Sequence, residues 1–239
     1  MVAIREINNR VILLEASVKA TPLLDDERPT YRAIKPVFER YEPTIRRDIE
    51  QGTPGVYQGL AQDLQTAMLP PLMDVYRNRI REYEAETGYN TDLELEIPTD
   101  WIRSYAIKGW LSDAIQGVAG TIQDLVAKAA QAYVRAAPGT ERRRMLDEFL
   151  TRILGRNRME MIATTETTRA RSQATADYVQ RLRRDGATVR QIWREDRASN
   201  TCPLCLANVG RDIEDIGQAP PLHPRCRCDI EIVIVEVQP

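Results

Sequence analysis

All four cysteines and the only histidine of this 239-residue chain fall between Thr201 and Ile230. Cys202 and Cys205 are spaced Cys-x-x-Cys, and after seventeen further residues come His223, Cys226 and Cys228 in the run His-Pro-Arg-Cys-Arg-Cys. Two thiolates three positions apart on a tight turn can both reach a tetrahedral ion, and donors from a second loop complete the shell. Sulfur and imidazole donors with no requirement for carboxylate suit Zn(II). Five donors compete for four places. In an extended strand Cys226 and Cys228 point to the same face, so two sets are open. Either the four cysteines bind and His223 hydrogen-bonds a ligating sulfur, or His223 replaces one of the last two.

Other cysteine chemistry fits less well. Two disulfides are at odds with a reducing cytosol. A redox Cys-x-x-Cys opens a helix in a thioredoxin-like setting, whereas Pro203 here lies in a knuckle between short strands. A catalytic zinc keeps one position open for water and needs histidine or carboxylate nearby to move protons. With one histidine in the chain, a nuclease or peptidase has too few parts, so the expectation is a structural zinc, no enzymatic activity and no small-molecule substrate. Such an ion replaces hydrophobic core in a subdomain too small to bury enough area.

The surrounding pattern predicts an α+β chain: a mainly helical N-terminal two thirds, then a C-terminal helix and a small antiparallel, zinc-stapled β-sheet. Residues 1–30 fit neither helical nor strand period and read as an irregular arm. Residues 31–155 read as a helical domain, in which Pro36 and Pro43 should cut the first helix into short pieces and Pro70 and Pro71 should break or kink the second. "IPTDW" offers Thr99 or Asp100 as the cap of a third helix. Gly109, Gly117 and Gly120 along it suggest that another helix approaches closely. Residues 156–239 form the last unit, with a long helix over 157–185 stopped by Gly186 and the zinc-binding sheet over 187–237. "TVRQIWRE" and "DIEIVIVEV" alternate and are β-branched, with Ile230, Ile232 and Ile234 on one face.

Charge is uneven: Glu141 to Arg197 holds fourteen arginines against nine acids, whereas Ala198 onward holds three against six. No segment reaches the ~20 apolar residues of a membrane span. Val11 to Leu14, ended by Glu15, reads as neither signal peptide nor anchor. On the long helix Glu166, Arg169 and Gln173 share one face. They read either as a solvated stripe with a weak ion pair or as a dock for the zinc sheet. Arg169, Arg171 and the arginines of "RILGRNR" and "QRLRRD" are candidates for phosphate contact, which makes a zinc-stapled DNA-binding protein the alternative reading.

About residues 157 to 235, one third of the chain, resemble the Mu F-like head morphogenesis (minor head protein) family of tailed bacteriophages. The elements that carry the likeness are Thr165, Glu166 and Arg169; then Asp196, Cys202, Pro203 and Cys205; then Gly210; and last Pro220, Pro221, His223, Pro224, Cys226, Arg227 and Cys228. The chain departs from the family pattern at Ser172, where asparagine is frequent. The resemblance implies a minor structural component of the virion, at the portal vertex or the inner capsid face, that joins during assembly in the host cytoplasm. It implies the phage portal or major capsid protein as partner, contact with packaged DNA, and a part in packaging or ejection.

Overall fold

Helices form here where apolar side chains recur every three or four residues. The computed structural model describes residues 4–7, 10–13, 22–55, 57–91, 109–198 and 201–237. Two short strands come first, β1 (Ile4–Ile7) and β2 (Arg10–Leu13), paired antiparallel with Ile7 opposite Arg10. They lie in the segment expected to be an irregular arm. Four-residue strands are too short for a clear period to show.

Helix α1 (Arg28–Gln51) buries Ile34, Val37, Phe38, Ile45 and Ile49 along one side. It is continuous, contrary to the expected fragments: Pro36 and Pro43 lie inside it. Both prolines are exposed, as are Arg32 and Glu39, whose carbonyls they leave without a partner. Water can reach carbonyls on that exposed side and the helix can curve there, so the buried face survives. Helix α2 (Gln58–Thr87) also runs on through its prolines, exposed Pro70 and half-buried Pro71, burying Leu64, Met68, Leu72 and Val75, and stops at left-handed Gly88.

Helix α3 (Trp110–Arg135) and α4 (Thr140–Leu154) follow. The expected cap at Thr99 or Asp100 lies outside the described residues. Gly117 and Gly120 do not admit a neighbouring helix: a side chain added at either would meet nothing within 4 Å. They lie on the exposed side of α3, and the Gly117 carbonyl accepts the Thr121 hydroxyl at 2.8 Å.

Helix α5 (Arg156–Arg184) is central and packs on α1, α2, α3 and α4. Its hydropathy is that of a surface helix, yet Ala163, Thr164, Thr167, Thr168, Ala170, Ala174 and Thr175 are all buried. Small side chains let several helices approach one axis. Two of its threonine hydroxyls turn back onto the helix, Thr165 to the Met161 carbonyl and Thr175 to that of Arg171, whereas the buried hydroxyls of Thr167 and Thr168 have no hydrogen-bond partner among the described residues. Met159, Ile162, Ala163 and Ala170 share one core with α1 to α4, so packing continues across residue 155, where the sequence suggested that a new unit starts.

The chain then forms β3 (Ala187–Asp196), the short helices α6 (Pro203–Leu206) and α7 (Ile213–Ile216), and β4 (Cys228–Val237). Strands β3 and β4 pair antiparallel, with Trp193 opposite Ile230 and Asp196 opposite Cys228. Ile230 is buried, and Ile232 and Ile234 pack against a second core of Tyr76, Ile80, Tyr83, Tyr178 and Leu182, whereas Val233 and Val235 face solvent. The α+β architecture expected from the pattern is therefore present. None of the described helices is long and apolar enough to cross a membrane.

Tyr83 joins sheet to helices. Its ring stacks on Tyr178 at 5.4 Å, and its hydroxyl donates to the Ile230 carbonyl at 2.6 Å while receiving Arg79 Nη2 at 2.7 Å. Burial pushes the phenol up to about 12, so it stays protonated as a donor. Tyr83→Phe keeps the stack and removes these bonds. It is expected to lower unfolding free energy by about 1–3 kcal/mol in a denaturant titration, the cost of leaving buried polar groups unmet.

Candidate metal centre

The knuckle is built by local chemistry. Pro203 occupies the first turn of α6, where its missing donor costs nothing, and Cys202 caps the helix, its sulfur accepting the Cys205 N–H at 3.4 Å. Gly210 adopts φ 80°, which lets the loop turn back so that the Gly210 N–H reaches the Trp193 carbonyl and the Trp193 N–H reaches the Arg211 carbonyl, both at 2.9 Å. The knuckle is thereby laid against β3. On the other side, the Pro224–Arg225 turn brings the chain into β4, with Arg225 left-handed at φ 65°.

All five expected donors converge. His223 Nε2 lies 3.1 Å from Cys202 Sγ and 3.2 Å from Cys205 Sγ, and Cys205 Sγ lies 3.8 Å from Cys226 Sγ. Two triads can hold a metal ion, Cys202, Cys205 and His223, and Cys205, Cys226 and Cys228; Cys205 belongs to both. Two sulfurs at about 2.3 Å from one tetrahedral ion sit about 3.8 Å apart, the spacing of Cys205 and Cys226. The histidine contacts are a few tenths of an ångström shorter than the matching edge of about 3.6 Å, a difference that side-chain rotation absorbs. His223 Nδ1 donates to the Pro224 carbonyl at 2.8 Å, which leaves the Nε2 lone pair facing the two sulfurs. No pair of cysteines among the four is joined as a disulfide.

The sulfurs are enclosed by apolar side chains. Cys205, Cys226 and Cys228 are buried and, with Trp193, make up a third core, with Val209, Ile213, Ile216 and Leu222 at its edge. Hydrogen bonds from Cys205 and then Cys228 pull Cys226 far below an ordinary thiol, and the same contact with Cys226 pushes Cys205 up, so the sulfurs titrate as one unit. Cys228 is pushed up to about 12 by opposed hydrogen bonds, lowering from Cys205 and raising from Cys226, together with its burial. The Trp193 indole is fully buried, and its nitrogen has no acceptor at hydrogen-bonding distance among the described residues. A buried donor beside a cluster of sulfurs fits a group that becomes anionic when it binds metal.

The loop sits on α5 through contacts that sequence reasoning assigned differently. Thr165 Oγ1 accepts the Arg225 N–H at 2.9 Å, and Arg225 Nη2 reaches the Asn157 carbonyl at 2.8 Å. Glu166 is buried, not part of a solvated stripe, and is bonded by Arg169 at 3.0 Å; burial pushes its carboxyl up despite that partner. Gln173 bonds Asp177 instead. Arg171, read as a phosphate contact, is buried between Asp229 at 2.9 Å and Glu82 at 3.1 Å, and Arg79 joins Asp229 at 3.1 Å. Arg79 and Arg171 thus dock the sheet. Neither position announces this locally, because Asp229 lies 58 residues from Arg171.

No protein-family model matches the chain, and none of the curated proteins or solved structures compared with it matches either.

Proposed function

We propose that this chain is a zinc-stapled architectural protein and, on the likeness of its last third to the Mu F-like family, a minor head protein of a tailed bacteriophage. The observation that carries the reading is the convergence of the knuckle with the loop, which is itself seated on α5 at Thr165. Residues of the family signature, far apart in sequence, meet there: Thr165 supports the Arg225 backbone, and His223 faces Cys202 and Cys205.

In this reading Cys202, Cys205, Cys226 and His223 hold zinc. A bound ion supplies cross-linking free energy, on the order of 10–16 kcal/mol in small zinc domains. The chain's own groups prepare the site: Pro224 fixes the histidine tautomer, the Cys205 amide supports the Cys202 sulfur, and Trp193 lies against the fifth donor, Cys228. Four protein donors close a tetrahedral shell, the condition for a structural ion. The DNA-binding alternative is disfavoured by the pairing of its cations. Arg156 pairs with Glu160, Arg183 with Glu214, Arg190 with Asp212, and Arg171 with Asp229.

The partners in this reading are the portal or the major capsid protein, met at the portal vertex or the inner capsid face during assembly in the host cytoplasm. Purified procapsids and virions, digested and counted by mass spectrometry, are expected to contain this chain in far fewer copies than the major capsid protein. Particles of both kinds that lack it would overturn the reading.

A further inference from the structure

Arg227 lies between two of the five sulfur and nitrogen donors, Cys226 and Cys228, and all three residues are buried. Along an extended segment neighbouring side chains leave on opposite sides, so while the cysteines turn toward Cys205, the guanidinium turns away. There it meets Glu27, 200 residues earlier, with Nε at 2.6 Å from one carboxylate oxygen and Nη2 at 2.7 Å from the other. Glu27 is 0% exposed and precedes the first residue of α1. The same guanidinium reaches the Pro22 carbonyl at 3.2 Å and Thr164 Oγ1 at 3.4 Å. A second tie lies beside it: Arg197 bonds Asp26 at 2.6 Å through its side chain and the Arg227 carbonyl at 3.1 Å through its N–H. Glu27 also accepts the Leu24 N–H at 2.9 Å, which folds residues 22–27 into a short strap across the loop.

We infer that Glu27 is a positioning residue for the metal loop, and that the loop holds the strap of residues 22–27 only while its donors are gathered; the inference rests on the metal reading above. A bidentate carboxylate–guanidinium pair is tolerated in the interior when both partners are in place, and becomes costly when one leaves. A loop that scatters Cys226 and Cys228 withdraws Arg227 from Glu27 and strands a fully buried carboxylate. The strap is then released. Linkage makes the effect reciprocal: whatever factor metal contributes to seating the strap, the strap contributes to metal affinity. The centre therefore controls how residues 22–27, which lead into α1, are held against the C-terminal unit.

Hydrogen exchange of the full wild-type chain, before and after a chelator strips the metal, tests the coupling. Amides of residues 24–28 are expected to exchange at least about tenfold faster after stripping, together with 201–228, while α3 is unchanged. In a competition titration with a chromophoric chelator, Glu27→Gln is expected to bind zinc at least about tenfold more weakly at unchanged helical circular dichroism, and Glu27→Asp, which keeps the charge, to recover most of the loss. A loop that responds to the chelator while residues 24–28 do not, or a Glu27→Gln affinity equal to wild type, overturns this inference and leaves the metal reading standing. A chain without bound metal, with no response in 201–228, overturns both.

Discussion

Cys205→Ser is expected to abolish metal binding, from one ion per chain to less than about a tenth of that, because Cys205 is the one donor common to both triads. The loss propagates. The core around the sulfurs has Trp193 as its only large buried side chain, with Val209, Ile213, Ile216 and Leu222 half-buried at its edge. An assembly of that size cannot offset the conformational entropy of the thirty residues that surround it. Residues 201–228 should therefore exchange their amides near the unprotected rate, while α1 to α4 keep their order through the core of Ile34, Leu64, Leu111 and Leu146. Elemental analysis and hydrogen exchange check the two halves of this prediction. Cys228→Ser provides the contrast: as the fifth donor in this reading, Cys228 is expected to be dispensable, and the variant to retain the ion.

Arg171→Ala is expected to lower unfolding free energy by about 3–5 kcal/mol, the cost of removing one partner from a buried ion pair. Arg171 holds Asp229 and Glu82 at once, and Asp229, with Arg79 as its other partner, lies where β4 leaves the metal loop. Burial alone would raise the Asp229 carboxyl, but Arg171 and then Arg79 more than offset it and hold it below the ordinary carboxylate range. Glu82 is lowered for the same reason. Carboxylates depressed in the folded state contribute stability that is present above their unfolded pKa, about 4, and lost as pH falls through the folded value. Without Arg171 burial acts unopposed on that side and the shift shrinks or reverses. The gap in stability between wild type and Arg171→Ala should thus be widest near neutral pH and narrow below about pH 4. A gap independent of pH would show that the variant acts through lost packing and not through lost charge.

What could be read in the sequence was what is local. Cys-x-x-Cys at a proline turn, alternating β-branched runs and a helix ended by Gly186 are signals within a dozen residues, and the knuckle, β3 and β4, and α5 stand where they pointed. The donor cluster followed because its five members are the whole supply of thiol and imidazole in the chain. What could not be read depends on partners distant in sequence. Thr164, Glu166 and Arg171 on α5 have the composition of a solvated face, and only neighbours from α2, β4 and the residues before α1 make them interior. Pro36 and Pro43 looked like helix breakers because proline's penalty is local, whereas the burial of Ile34, Phe38 and Ile45 that outweighs it comes from other helices. Glu27 and Arg227 are the extreme case, a buried pair 200 residues apart with nothing in either neighbourhood to link them.

The central claim is a closed metal shell made only of protein donors. X-ray absorption at the zinc edge of the purified full chain, with the metal counted by elemental analysis, tests it most directly. The account predicts one zinc per chain surrounded by three sulfurs and one nitrogen. A chain that carries no metal, or a zinc with an oxygen neighbour from water in its fourth position, would contradict it.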